Sequence, residues 1–209
     1  MIRVLRSLAF ALVFVATAAP VAAAQGEYVA RSESFIRTLA EQAIGTLSQK
    51  DLNVDQRRQK FRSLLRDAFA VPGIARFVIG RYWRSADEKQ REEYLVLFED
   101  VIVNTWADRF SDYSGQKFEV RDAIDARGPQ DSENAAIVRS VFFTDPSTPV
   151  RVEWRVANAG DVYKIVDVVV EGVSMANTHR DEFATVIRNN GGNVEGLLAE
   201  LRRRRDATK

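Results

Sequence analysis

The chain has no cysteine and a single histidine, His179. No disulfide can staple it, and a zinc site built from Cys and His is excluded. Neither sign of charge dominates, with 30 Lys and Arg against 29 Asp and Glu in 209 residues, so nothing points to nucleic acid or another polyanion as partner. There is no phosphate-binding glycine loop, and Gly191-Gly192 stands between two helical patterns as a break. His179 follows Ser174 at a spacing that does not bring the two together on a helix, and no nucleophile-elbow motif surrounds the serine. The histidine therefore reads as an ordinary surface or capping residue.

Long apolar runs are also scarce, and the longest comes first. Arg3 and Arg6 precede the apolar stretch Leu8 to Ala19, and Ala22-Ala23-Ala24 offers small residues at a cleavage position. Residues 1–24 read as a secretory signal peptide cut before Gln25, since the run is short for a membrane span. The expectation is an exported, periplasmic protein with one domain over 25–209. Without Arg3 and Arg6 it carries 28 basic and 29 acidic residues, a balance of −1.

The stretch Tyr163 to Ser174 organises the rest. It is β-branched and apolar in both alternating phases, with Tyr163, Ile165 and Val169 in one and Val166, Val168 and Val170 in the other. A strand with one wet face would alternate strictly, so this one is expected to be covered on both sides. Before it, helical spacing predicts helices over Ser32–Ser48, Val54–Phe69 and Ile74–Ile79, with Val71-Pro72-Gly73 as a break. A long helix follows from Asp87 to about Ser111, started by a Ser85/Glu88 capping box. The period then changes to two, predicting strands from Phe118, from Asn134 to Thr144, from Val150 to Val156, and at the central stretch. Two helices close the chain, about Thr178–Asn189 and one capped by Asn193. Helices, a four-stranded antiparallel meander, then helices make an α+β layout, with helices packed on a curved sheet as a cone.

Few groups in this layout carry chemistry. Asp167 lies within an apolar strand; it is either a general base or, as structural acids more often are, an acceptor for a buried partner such as Arg180 or a Trp indole. Arg202 to Arg205 reads as a solvated helix end favoured by the dipole. What is plentiful is bulky apolar material. Phe77, Phe98, Trp106, Phe110, Phe142, Phe143 and Trp154 exceed what one sheet–helix interface needs, and a cone of this kind leaves a hollow suited to a greasy occupant.

Two blocks give that hollow a context. Gly80-Arg81-Tyr82-Trp83-Arg84 with Gln90-Arg91, Tyr94, Phe98 and Thr105-Trp106 is the first. Tyr163 to Val168, then Glu171-Gly172-Val173-Ser174, Arg180 and Phe183, is the second. In this order behind a signal peptide they resemble the MlaC family of periplasmic phospholipid carriers, also called toluene-tolerance or auxiliary ABC-transport proteins. Trp106 stands where that family usually has Tyr, and Tyr163 where Trp is common; both keep the ring. The resemblance implies an NTF2-like fold with an apolar cavity, no catalysis, no metal and no cofactor beyond bound phospholipid as cargo. It implies a monomer passing glycerophospholipid between an outer-membrane lipoprotein complex and an inner-membrane complex of MCE-domain protein, permease and ATPase, in support of outer-membrane lipid asymmetry. A related branch is associated with hopanoid lipids. The alternative of another class is an NTF2-like isomerase or dehydratase using Asp167.

For a carrier, the lining expected from the long helix is Phe98, Ile102 and Trp106. Opposite them, the expected sheet residues are Val141, Phe143, Val152, Trp154, Val166 and Val168. A phase error of one residue in any strand inverts that choice.

Overall fold

The computed structural model describes residues 20–107, 110, 115–126, 134–145 and 148–207, with side chains from residue 26 onward except at 134, 144 and 145. The bulk of the expected signal segment, the expected helix end at Ser111, and residues 127–133 and 146–147, expected as a polar loop and a turn, lie outside the described residues.

Seven helices and five strands are described in chain order. Helix α1 (Pro20–Leu47) begins well before Ser32, because the alanine run that ends the signal-like segment is itself strongly helix-forming. The expected cut before Gln25 thus falls near the start of α1. Helix α2 (Val54–Ala68) starts at a reciprocal cap: Asn53 Oδ1 accepts from the Gln56 N–H at 2.9 Å, and Gln56 Oε1 accepts from the Asn53 N–H at 3.0 Å. Val71-Pro72-Gly73 does not break the chain but opens α3 (Val71–Ile79), since a proline in the first turn has no intrahelical hydrogen bond to lose. A single turn, α4 (Tyr82–Ser85), leads to α5 (Glu88–Ala107). Asp87 and Gln90 make its cap, in place of the expected Ser85 and Glu88.

The strands are β1 (Phe118–Asp125), β2 (Asn134–Asp145), β3 (Thr148–Ala159), β4 (Val162–Val170) and β5 (Val173–Ser174), antiparallel in the order 1-2-3-4-5. The sheet therefore has five strands, not four. The extra one is a two-residue return of the chain along β4, through a turn in which Glu171 and Gly172 both have positive φ, the geometry that matches strand twist in a tight hairpin. Ser174 ends β5 and caps α6 (Met175–Asn189), its Oγ accepting from the Asn177 N–H at 3.1 Å; α7 (Val194–Ala207) follows.

Two apolar cores result. In the helical core, Tyr94, Leu97, Phe98 and Val103 of α5 pack with Phe183 and Ile187 of α6 and Leu197, Leu198 and Leu201 of α7. Tyr94 is fully buried, donates its O–H to the Ala75 carbonyl at 2.8 Å, and has its phenol pKa driven far up by burial. In the sheet core, Ile36 of α1 and Ala68 of α2 sit on Val120, Val138, Val156 and Ile165. Phe69 touches both cores, and its backbone makes a parallel bridge to Ile165 on the free edge of β4. The broad apolar face of α5 is used against α7, α2 and α3 rather than against the sheet. Arg62 binds Glu99 at 2.6 Å and Asp100 at 2.8 Å, tying α2 to α5, while Arg202 ties α7 to Glu93 of α5 at 2.7 Å.

Candidate functional site

The inner face of the sheet, which α1 crosses, is set by register, because directly paired residues share a face. Phe118 pairs with Phe142, Phe142 with Val150, Val152 with Val170 and Trp154 with Val168. Those seven apolar side chains form one wall, continuous with the buried Val120, Val138, Val156 and Ile165. The wall grades along the strands. Beneath α1 it is closed, and Val138 and Ile165 have no exposure at all. Toward the other end Phe118, Phe142, Val150, Val152, Trp154, Val168 and Val170 are only half-buried.

Three of these are held by specific contacts. The Phe118 and Trp154 rings meet edge to face at 6.4 Å. Trp154 Nε1 donates to Ser140 Oγ at 2.9 Å, and Ser140 Oγ donates to the Val152 carbonyl at 3.1 Å. Ser140 is buried on the same wall, so its one hydroxyl satisfies the indole and leaves the surrounding surface apolar. On the helical side Phe69, Phe61 and Ile102 are half-buried, with Phe61 and Phe110 rings 5.9 Å apart.

The residues expected to line a hollow are distributed as follows. Val152, Trp154 and Val168 are on the wall. Val141 and Phe143 are not: they pair with Arg151 and Pro149, which puts them on the opposite face of β2, together with Arg139. Arg139 was the signal for the phase, since a charged side chain marks the wet side of a strand. Phe118, Phe142, Val150 and Val170 take places that sequence reasoning missed. Val166 is the extra residue of a β-bulge, because Arg155 pairs with Asp167 and Val156 with Ile165; it is 37% exposed. That bulge also re-phases β4, so Tyr163 and Ile165 share the wall with Val168 and Val170 rather than with Val169. On α5, Phe98 belongs to the helical core, with its ring 6.3 Å from Phe183, and Ile102 packs at that core's margin. Trp106, near the end of α5, is 39% exposed.

Asp167 is on the outer face, where α6 and β5 bury it. It accepts from Ser174 Oγ at 2.7 Å and from the Ala176 N–H at 3.1 Å, with Arg155 Nη1 at 3.5 Å. The partner is thus the start of α6, not Arg180 or an indole. An aspartate there complements both the free N–H groups and the dipole of that helix. It also lies on the far side of the sheet from the apolar wall. His179 lies on α6, 3.4 Å from Glu182 and 6.0 Å from the Phe183 ring. The arginines of α7 are tied down rather than free: Arg202 to Glu93 and Glu195, Arg203 to Glu200, Arg204 to Glu182 and Glu200. No group of three or more His, Cys, Asp or Glu able to hold a metal ion occurs among the described residues, and no described helix is long and apolar enough to cross a membrane.

Comparison with known proteins gives a consistent picture. The family described as MlaC protein matches residues 37–203. The intermembrane phospholipid transport system binding protein MlaC of Haemophilus influenzae is 23% identical over 126 residues, which is 59% of this chain and 56% of that protein. The toluene tolerance protein ttg2D of Pseudomonas putida is 21% identical over 127 residues, 60% of this chain and 57% of its own length. The chain thus spans a little over half of each relative. A solved structure of a phospholipid-binding protein from Ralstonia solanacearum, in complex with a phospholipid, superposes with a TM-score of 0.68 at 21% identity, covering 85% of this chain and 98% of that one. At that identity the likeness speaks for the α+β fold.

Proposed function

Since the chain belongs to the MlaC protein family, we propose that it is a periplasmic phospholipid carrier and that the apolar wall receives the acyl chains. The observation that supports this reading is the half-buried run of Phe118, Phe142, Val150, Val152, Trp154, Val168 and Val170 on the inner face of the sheet. A finished core would bury such side chains fully, as it does Val138 and Ile165 under α1. Side chains of this size left partly open on a helix-bearing face are what a hydrocarbon ligand would complete. The carrier reading also fits the apolar character of the half-buried run, beside which the Ser140 hydroxyl is spent on Trp154.

Energetics shape the mechanism. Each acyl CH₂ taken out of water gains about 0.8 kcal/mol. Two ordinary tails total roughly 20 kcal/mol, near the ceiling for non-covalent binding. Release into water would be far too slow, so cargo passes directly from one protein to the next with its tails shielded throughout. In the full proposal the donors and acceptors are an outer-membrane lipoprotein complex and an inner-membrane complex of MCE-domain protein, permease and ATPase. The mature protein begins at Gln25, acts as a monomer and needs no cofactor. The wall residues proposed to meet the chains are Phe118, Phe142, Val152, Trp154 and Val168, with Ile102 and Trp106 at the margin.

Native mass spectrometry of gently purified protein tests the reading. One phospholipid per chain is expected, identified by extraction, with a glycerophospholipid mass rather than a hopanoid one. A clean apo spectrum, from protein that also takes up no lipid from vesicles, would overturn it.

A further inference from the structure

A concavity with none of the wall residues in its lining lies where the end of α3, α4 and α6 meet. It encloses about 280 Å³ and is lined by Val78, Ile79, Gly80, Tyr82, Ala184 and the arginines Arg81, Arg180 and Arg188. From its charge and composition we infer that this groove is a docking site for an acidic segment of a partner protein.

The arginines there differ from the ion-paired arginines of α2 and α7. Along α2 and α7, Arg62, Arg66, Arg202, Arg203 and Arg204 are each held by carboxylates. Among the described residues, Arg81, Arg180 and Arg188 have no carboxylate partner. They are nonetheless positioned. Arg81 donates to Tyr82 Oη at 3.0 Å, Arg188 to Thr185 Oγ1 at 2.8 Å, and the Arg180 guanidinium lies 4.7 Å over the Phe77 ring. Stacking and hydrogen bonds of this kind hold the fork in place at little cost in freedom when a carboxylate arrives. Gly80 lies beside Arg180 at φ +60°, a backbone conformation that L side chains rarely adopt.

The composition favours a protein over a bilayer. Arginine with aromatic side chains around an apolar floor is the signature of protein interfaces. Phe77 is 43% exposed at the rim, and Val78 and Ile79 form the floor. A membrane surface is flat on this scale and cannot enter the concavity, whereas a protruding segment with carboxylates can, each matching a guanidinium in two-point fashion. The inference does not depend on what fills the apolar wall.

The test uses purified protein and a fluorescein-labelled octaglutamate peptide, read by anisotropy. Binding is expected to weaken roughly tenfold when R180E and R188E are combined, and comparably between about 50 and 500 mM salt. R203E, on the exposed end of α7, should change it little. Lipid content and thermal melting of the double variant should match wild type; if the reversal does not fold, R180Q with R188Q takes its place. Unchanged peptide binding in the double variant would overturn the inference. So would equal weakening by R203E, which would mark a net-charge effect. Capture of phosphatidylglycerol vesicles through these arginines, with the peptide ignored, would overturn it in favour of a membrane surface. Wild-type protein that carries and takes up no lipid yet binds the peptide would count against the carrier reading and leave the groove standing.

Discussion

The neighbours Phe142 and Phe143 decide whether the apolar wall is the lipid site. Register puts Phe142 on the inner face between Phe118 and Val150, and Phe143 on the outer face, where Lys117 Nζ sits 5.7 Å from its ring. Phe142→Glu places a carboxylate among half-buried apolar groups. In the empty protein it can turn to water, so the fold should tolerate it. With acyl chains against the wall it loses that water and finds no cation. An unpaired charge costs several kcal/mol when buried, and with partial exposure discounted about 2 kcal/mol remains. That corresponds to roughly a thirtyfold loss of lipid affinity. Phe143→Glu instead gains a nearby ammonium and meets no lipid, so its affinity should stay within about twofold of wild type. The assay equilibrates each protein with excess phospholipid vesicles, re-isolates it and measures phosphate per chain against a competing wild-type pool. If Phe143→Glu loses lipid and Phe142→Glu keeps it, the inward phase is misassigned. If both keep it, the wall is not where the tails go.

Other changes probe the frame around the wall. Asp167→Ala removes the acceptor for Ser174 Oγ and the Ala176 N–H and should cost about 2 kcal/mol, a drop in Tm of about 4–8 °C, while lipid content stays unchanged. Gly80→Ala forces an L side chain into φ +60°; about 1–3 kcal/mol of stability should go, seen as a lower urea midpoint at constant slope. Glu99 is pulled up by burial, but Arg66 and Arg62 outweigh that and hold its carboxyl below the usual range. A depressed folded-state pKa stabilises above the ordinary carboxylate range near 4.3, and the gain fades as pH falls through the folded value. Glu99→Gln should therefore be about 1 kcal/mol less stable than wild type at neutral pH and equal to it in acid, as read from melts across the pH range.

Much of the architecture was legible because it is local. The stripe Ile36, Leu39, Ala43 and Leu47 announces a helix wherever it packs, and the alternation Val150, Val152, Trp154, Val156 against Arg151, Glu153 and Arg155 announces a strand with one wet face. The family blocks were legible for the same reason, as contiguous runs. Which strand residues share a face was read less well. In β2, Arg139 marked the wet phase and Phe142 follows from it, yet the two adjacent phenylalanines hid the choice.

By itself, then, the sequence determined the type and order of nearly every element, the lack of cysteine and the excess of apolar bulk. Those depend on spacing within one turn or one pleat. Only tertiary structure decided which bulk meets which. The bulge at Val166 shifts β4 by one residue, so side chains of opposite parity share a face, and no local period contains that shift. The apolar face of α5, wide enough for a sheet, is taken up by α7, α2 and α3, which leaves the inner wall of the sheet partly uncovered. A helix's apolar stripe fixes that something must cover it, but which element does so is settled by the packing of distant segments.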